Sequence, residues 1–69
     1  MSIAKVIEVL AEGDSIEAAI QSAVTEAAMT VRGIRHVYVK EVQAVVEGDT
    51  VVKYRVNAKL TFVIEEDRD

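Results

Sequence analysis

The sequence contains no cysteine, no proline and no tryptophan, and it contains a single histidine. The lack of cysteine excludes disulfide bonds, and without cysteine or clustered histidine there is no structural zinc site of the usual kind. A chain of 69 residues forms one domain, expected here over residues 1–69. So short a chain buries only a small core by itself and usually needs a disulfide, a bound metal or a partner subunit for stability. Self-association is the expected source of additional buried surface.

Positive charge is also scarce, and the formal net charge is −4. This balance argues against binding to nucleic acid or to anionic membranes, because phosphate groups are bound by clustered Lys and Arg. No apolar run approaches the roughly 18 residues that a membrane-spanning helix needs. Lys5 and Glu8 interrupt the first apolar stretch, unlike the pattern of a signal peptide. We therefore expect no nucleic-acid or membrane partner and a cytoplasmic location.

The first half of the chain predicts a strand followed by a helix. Residues 3–10 favour a strand through their Ile, Val and Leu content. Asp14 is predicted as the helix N-cap, and Glu17 lies at capping-box spacing from it. Apolar residues, many of them Ala, then recur with helical period. This pattern predicts a helix that ends with Arg32 in its last turn and is followed by Gly33 at a positive φ.

The second half predicts a hairpin of two long strands. Residues 34–46 are rich in Val, but their apolar alternation changes phase near Lys40 and Glu41. Either a bulge lies there, or the two ends of the strand bury opposite faces. Residues 47–50 read Glu-Gly-Asp-Thr, a turn signal. Residues 51–64 alternate almost perfectly between apolar and polar, which predicts one buried face and one solvent-exposed face.

The lengths of these elements indicate an oligomer. A strand of about 14 residues spans roughly 46 Å, whereas a helix of about 18 residues spans roughly 27 Å. One helix cannot cover the hairpin, and the uncovered end would be an apolar patch beside unpaired strand edges. A closed symmetric assembly removes both problems. The alternative is a sheet that coils tightly round the helix and stays monomeric.

The sequence resembles the dodecin family over essentially its whole length. The similarity lies in Lys-Val-Ile-Glu at 5–8, Gly-Asp-Ser at 13–15, Ala-Ala-Met-Thr-Val-Arg at 27–32, Val-Lys-Glu-Val at 39–42 and Tyr-Arg-Val-Asn-Ala-Lys-Leu-Thr-Phe at 54–62. The resemblance implies an α+β fold, β-α-β-β, with a three-stranded antiparallel sheet wrapped around one helix. It also implies a hollow homododecamer that is not an enzyme and that stores or sequesters flavin, riboflavin or FMN, between its subunits.

The same resemblance identifies candidate ligand-binding residues. The family places a Trp that stacks on the flavin ring where this chain has His36, and a Gln that hydrogen-bonds the flavin where this chain has Arg55. The sequence departs from the family at both positions. Lys53 shares the polar face of the last strand with Arg55, and Tyr38 shares a face with His36. These are the four candidate cofactor-binding residues.

Two interpretations of these residues remain open. An imidazole at position 36 stacks on a ring, or pairs with its copy across a two-fold axis to bind a metal ion. Arg55 suits an anionic or carbonyl-rich ligand, but it and Lys53 would equally pair with Glu41 or Gln43 on the neighbouring strand. No catalytic motif is present. The sequence thus predicts either a flavin-binding storage protein or an oligomeric shell that has lost flavin binding and binds metal ions or coenzyme A-like anions.

Overall fold

The computed structural model describes residues 2–65. Its elements follow the order β1 (Ser2–Gly13), α1 (Ile16–Ala27), β2 (Ile34–Glu47) and β3 (Thr50–Glu65). The strands form one antiparallel sheet in the order β1-β3-β2. The predicted β-α-β-β fold with a three-stranded antiparallel sheet is therefore confirmed. Helix α1, the helix of the described residues, does not have the length and apolar character needed to cross a membrane.

The helix begins one residue later than predicted. Ser15 is the N-cap, with extended backbone angles (φ −143°, ψ 167°), and its Oγ accepts a hydrogen bond of 3.0 Å from the backbone N–H of Ala18. The prediction of Asp14 as the cap was wrong, because both residue types cap helices well and only the backbone turn decides between them. Glu17 lies in the first turn, where its charge suits the helix dipole.

The helix also ends earlier than predicted. It stops at Ala27, with Ala28 as the C-cap, so the prediction that Arg32 lies in the last turn was wrong. The hydroxyl of Thr30 donates to the carbonyl of Ala27 over 3.3 Å, and such local bonds compete with continued helix. Gly33 has the predicted positive φ, 76°. It precedes β2 rather than capping α1, and its carbonyl accepts a 3.3 Å hydrogen bond from Val63.

The core lies between the helix and the central strand of the sheet. The buried apolar residues are alanines on one stripe of α1 and even-numbered side chains of β3; they are Ala19, Ala23, Ala27, Val56, Ala58, Leu60 and Phe62. The two predicted apolar faces are confirmed at these residues, whereas Ile16, Val52 and Ile64 of the same predicted faces are more than a third exposed. Because alanine side chains are short, the helix packs close to the sheet, and it lies mainly against β1 and β3.

A bulge in β2 explains the phase change in its sequence. The register shifts at Lys40, which has no partner on β3. Val37 pairs with Leu60 before the shift, and Val42 pairs with Val56 after it. Since Leu60 and Val56 are both buried, the two halves of β2 present their valines to the same face. The bulge alternative is confirmed, and the alternative of opposite buried faces is wrong.

The end of the β2–β3 hairpin is uncovered. The described chain is elongated, with extents of 60 × 19 × 13 Å, whereas a helix of 12 residues is only about 18 Å long. Val42, Val46, Val51 and Val52 near the hairpin turn are 43% to 57% exposed. The sheet does not coil tightly enough to hide them against α1. The apolar patch on which the oligomer prediction depends is therefore present.

Candidate functional site

The candidate residues lie on the face of the sheet opposite the helix, which we call the open face. Directly paired residues of antiparallel strands share a face, and the even-numbered residues of β3 face the helix. The odd-numbered residues of β3 and their partners therefore form the open face. Its principal members are Glu8, Leu10 and Glu12 of β1, His36, Tyr38, Glu41 and Gln43 of β2, and Lys53, Arg55, Asn57, Lys59 and Thr61 of β3.

One part of the open face carries two ring side chains. His36 pairs with Thr61, and Tyr38 pairs with Lys59. Both residues are exposed, and Tyr38 is 64% exposed. Residues two apart on a strand stand about 7 Å from each other. His36 and Tyr38 together therefore present a surface on which a planar ligand can stack.

A second part of the open face is an ion cluster centred on Glu12. Lys53 Nζ donates to Glu12 Oε1 over 3.0 Å, and Arg55 Nε and Nη2 donate to Glu12 Oε2 over 2.9 and 2.7 Å. The alternative in which Lys53 and Arg55 pair with Glu41 or Gln43 is wrong. Because β3 is the central strand, it has a neighbour on each side, and β1 places Glu12 directly opposite Arg55.

The cluster retains positive charge. The pKa of the Glu12 carboxyl lies below its ordinary value because of the hydrogen bond from Lys53 and, next, that from Arg55. Glu12 is therefore ionised at neutral pH and offsets one of the two cations. The N–H groups of Arg55 that do not bond to Glu12 form no hydrogen bond within residues 2–65. They remain free to donate to a ligand.

One subunit does not bring the ring side chains and the ion cluster together. His36 stands opposite Thr61, and Thr61 lies six positions along β3 from Arg55. At about 3.4 Å per residue this separates the two places by roughly 20 Å. The four predicted site residues thus share a face but divide into two pairs, His36 with Tyr38 and Lys53 with Arg55.

Asn57 is a site residue that sequence reasoning missed. Its Oδ1 is buried and has no hydrogen-bond partner in the part of the chain that the structure describes. Buried polar atoms are nearly always hydrogen-bonded. This acceptor therefore lacks a donor, and a ligand or another subunit can supply one. The available signal was its place between Arg55 and Lys59 on the polar face of β3.

A cleft of about 830 Å³ lies between α1 and β1. Its walls are largely apolar and include Ile7 and Ala23, and Glu12 and Arg55 also line it. The ion cluster therefore borders this cleft as well as the open face. Among residues 2–65 no group of three or more His, Cys, Asp or Glu side chains is placed to hold a metal ion. A metal site built on His36 would need ligands from other subunits.

The chain is similar to dodecins in sequence and structure. The dodecin family model matches residues 3–65. A Thermus thermophilus protein of solved structure is 29% identical, with a TM-score of 0.88 over 97% of this chain and 100% of that chain. A dodecin from Streptomyces coelicolor is 31% identical, with a TM-score of 0.86 over 96% of each chain. A substituted T. thermophilus dodecin is 30% identical, with a TM-score of 0.87 over 96% of this chain and 100% of that chain. No curated protein matches the chain.

Proposed function

Because the chain belongs to the dodecin family, we propose that it is a non-enzymatic homo-oligomer that binds and stores a flavin, riboflavin or FMN. One observation carries the proposal: ring side chains and hydrogen-bonding side chains lie on one uncovered face of the sheet. His36, Tyr38, Lys53 and Arg55 are the proposed ligand-binding residues, and Asn57 joins them. The proposed assembly is the homododecamer typical of the family.

The residues fit the chemistry of a flavin ring. The ring is planar and largely apolar, so it stacks on exposed rings such as those of His36 and Tyr38. Its pyrimidine edge has carbonyl oxygens, to which Arg55 can donate. The same edge has an imide N–H, which suits the unsatisfied Oδ1 of Asn57. A bound flavin would contribute its redox-active ring. Storage requires the protein to bind the flavin but not to catalyse a reaction.

The separation of the two residue pairs supports binding between subunits. His36 and Arg55 are roughly 20 Å apart along the sheet, which is farther than one three-ring system reaches. A flavin that touches both residue types must therefore take them from different subunits. The exposed valines at the hairpin end supply apolar surface for such an assembly.

The second candidate function is a shell without flavin that binds coenzyme A-like anions or metal ions. The uncompensated charge of the Lys53–Arg55–Glu12 cluster favours an anion. Lys59, two positions beyond Asn57 on the same face, adds a further positive charge that forms no ion pair within residues 2–65. This candidate uses the same face but does not need the rings of His36 and Tyr38.

Fluorescence quenching separates the two candidates. Riboflavin and FMN are titrated with the purified protein, and coenzyme A binding is measured by calorimetry in parallel. The flavin proposal expects saturable quenching that weakens when Tyr38 and His36 are both changed to Ala. Thr25→Ala, on the exposed face of α1, is the control and is expected to leave quenching unchanged. An absence of quenching together with coenzyme A binding would establish the second candidate instead.

A further inference from the structure

Glu12 holds both cations of the candidate site. It accepts one hydrogen bond from Lys53 through Oε1 and two from Arg55 through Oε2, at distances of 2.7 to 3.0 Å. Both oxygens of the carboxylate are thus directed at the two residues best suited to bind a phosphate group. Charge-assisted bonds of this length are the stronger class of hydrogen bond. A ligand phosphate that approaches Arg55 must compete with this carboxylate.

The sheet fixes this arrangement. Glu12 and Arg55 are direct partners in the β1–β3 register, and cross-strand partners have Cβ atoms about 5 Å apart. Lys53 lies two residues before Arg55 on the same face of β3. The other carboxylate of β1 on this face, Glu8, pairs with Lys40 over 3.4 Å and contacts neither cation. Two Glu residues on one strand therefore have separate cationic partners.

We propose that Glu12 is a specificity-determining residue that sets the preference of the site between neutral and phosphorylated ligands. It offsets one of the two cations, so a dianionic phosphate gains less from Lys53 and Arg55 than it would without the carboxylate. A neutral ligand such as riboflavin neither gains nor loses by this charge. Glu12 is charged at neutral pH, as a carboxyl ordinarily is, and the hydrogen bonds from Lys53 and Arg55 lower its pKa further. The inference rests on the proposed function, since it assumes that the ligand contacts Arg55.

The test measures the ratio of FMN affinity to riboflavin affinity in wild type and in Glu12→Gln. Glutamine keeps the shape of the side chain and removes its charge. When the two groups are partly exposed and several ångström apart, one unit charge changes the affinity for a phosphate dianion by about 5- to 30-fold. The ratio is expected to rise by that factor in Glu12→Gln and to rise less at high salt. Glu8→Gln is the matched control and is expected to leave the ratio unchanged.

Two results would overturn the proposal. The first is an unchanged ratio in Glu12→Gln while both flavins bind, in which case the proposed function stands and the role of Glu12 fails. The second is an equal loss of both affinities, which would make Glu12 a residue that only positions Arg55. Light scattering of each variant measures its mass and so checks that the variant still forms the oligomer.

A probe without a flavin ring keeps the inference testable if flavin binding itself fails. Inorganic phosphate is added to each variant, and the shift in melting temperature is measured. A larger shift in Glu12→Gln than in wild type and Glu8→Gln is expected. If neither flavin binds but this larger shift is seen, the proposed function is wrong and the charge-setting role of Glu12 is retained. Equal shifts in all three proteins would overturn that role.

Discussion

Gly13, the last residue of β1, lies directly against the backbone of Ala19 in α1. A Cβ atom built on Gly13 would stand 2.6 Å from the backbone nitrogen of Ala19 and 2.9 Å from the carbonyl carbon of Ala18. Ala19 is fully buried. The missing side chain at position 13 therefore allows the first turns of the helix to rest on the sheet.

Gly13→Ala is expected to destabilise the protein by roughly 1–3 kcal/mol, the range of overpacking in a dense core. The backbone of the helix has to move, since no flexible side chain can give way. Urea denaturation at fixed protein concentration measures the change. The control is Gly48→Asn, because Asn tolerates the positive φ of 56° at that turn residue and nothing lies within 4 Å of a Cβ there. Equal midpoints for wild type and Gly13→Ala would show that the helix does not rest on Gly13.

Gly33→Val is expected to cost on the order of 1–2 kcal/mol through left-handed strain. Gly33 has a φ of 76°, and a Cβ there would lie 3.1 Å from the carbonyl oxygen of Val63. Gly33→Asn is the matched comparison, because Asn tolerates this backbone region better than a β-branched residue does. The melting temperature is expected to be highest for wild type, lower for the Asn variant and lowest for the Val variant. A Val variant as stable as the Asn variant would contradict the strain argument.

His36→Trp is expected to raise riboflavin affinity by up to about 1–2 kcal/mol, because indole offers a larger stacking surface than imidazole. Titration of riboflavin fluorescence gives the affinities. Thr25→Trp adds the same side chain on the exposed face of α1 and is expected to change nothing. An affinity that stays the same in His36→Trp would exclude position 36 as the stacking position.

The Glu12 cluster predicts a contribution to stability that is lost in acid. Hydrogen bonds from Lys53 and Arg55 lower the pKa of Glu12 in the folded state. The contribution is therefore present above the ordinary carboxyl pKa and disappears as the pH falls through the lowered value. Denaturation midpoints of wild type and Glu12→Gln are compared at pH 7 and at about pH 3. The wild-type advantage is expected to shrink at the lower pH, and an advantage that does not change with pH would contradict this assignment.

Sequence periodicity was sufficient for the four elements and their order, because long strands and a long apolar stripe leave few alternatives. The three-stranded antiparallel sheet around one helix was implied by the family resemblance. The even-numbered residues of β3 alternate without interruption, and the buried set Val56, Ala58, Leu60 and Phe62 follows that pattern. The phase change in β2 left two alternatives open, and the register shows that the bulge, at Lys40, is the correct one. The helix ends were less predictable. Ser15 and Asp14 are equally good caps, and the turn at 28–30 depends on local hydrogen bonds that a stripe of apolar residues does not reveal.

The candidate site was predictable only in part. Alternation correctly assigned Lys53 and Arg55 to the face opposite the helix, but it does not say which neighbouring strand supplies their partner. Strand order decides that, and β3 lies between β1 and β2. Glu12 was therefore missed as a member of the site. Asn57 was missed for another reason, because alternation does not reveal that its Oδ1 is buried without a hydrogen-bond partner. The division into two residue pairs also requires the register, which places His36 opposite Thr61.

Sedimentation velocity of the protein mixed with riboflavin, followed at the visible absorption band of the flavin, tests the central claim most directly. It reports particle mass and bound flavin in the same boundary. The account predicts that flavin absorbance sediments with a particle of about twelve subunits, each of 7.6 kDa. Protein that sediments near 7.6 kDa, or an assembly whose boundary carries no flavin absorbance, would contradict it.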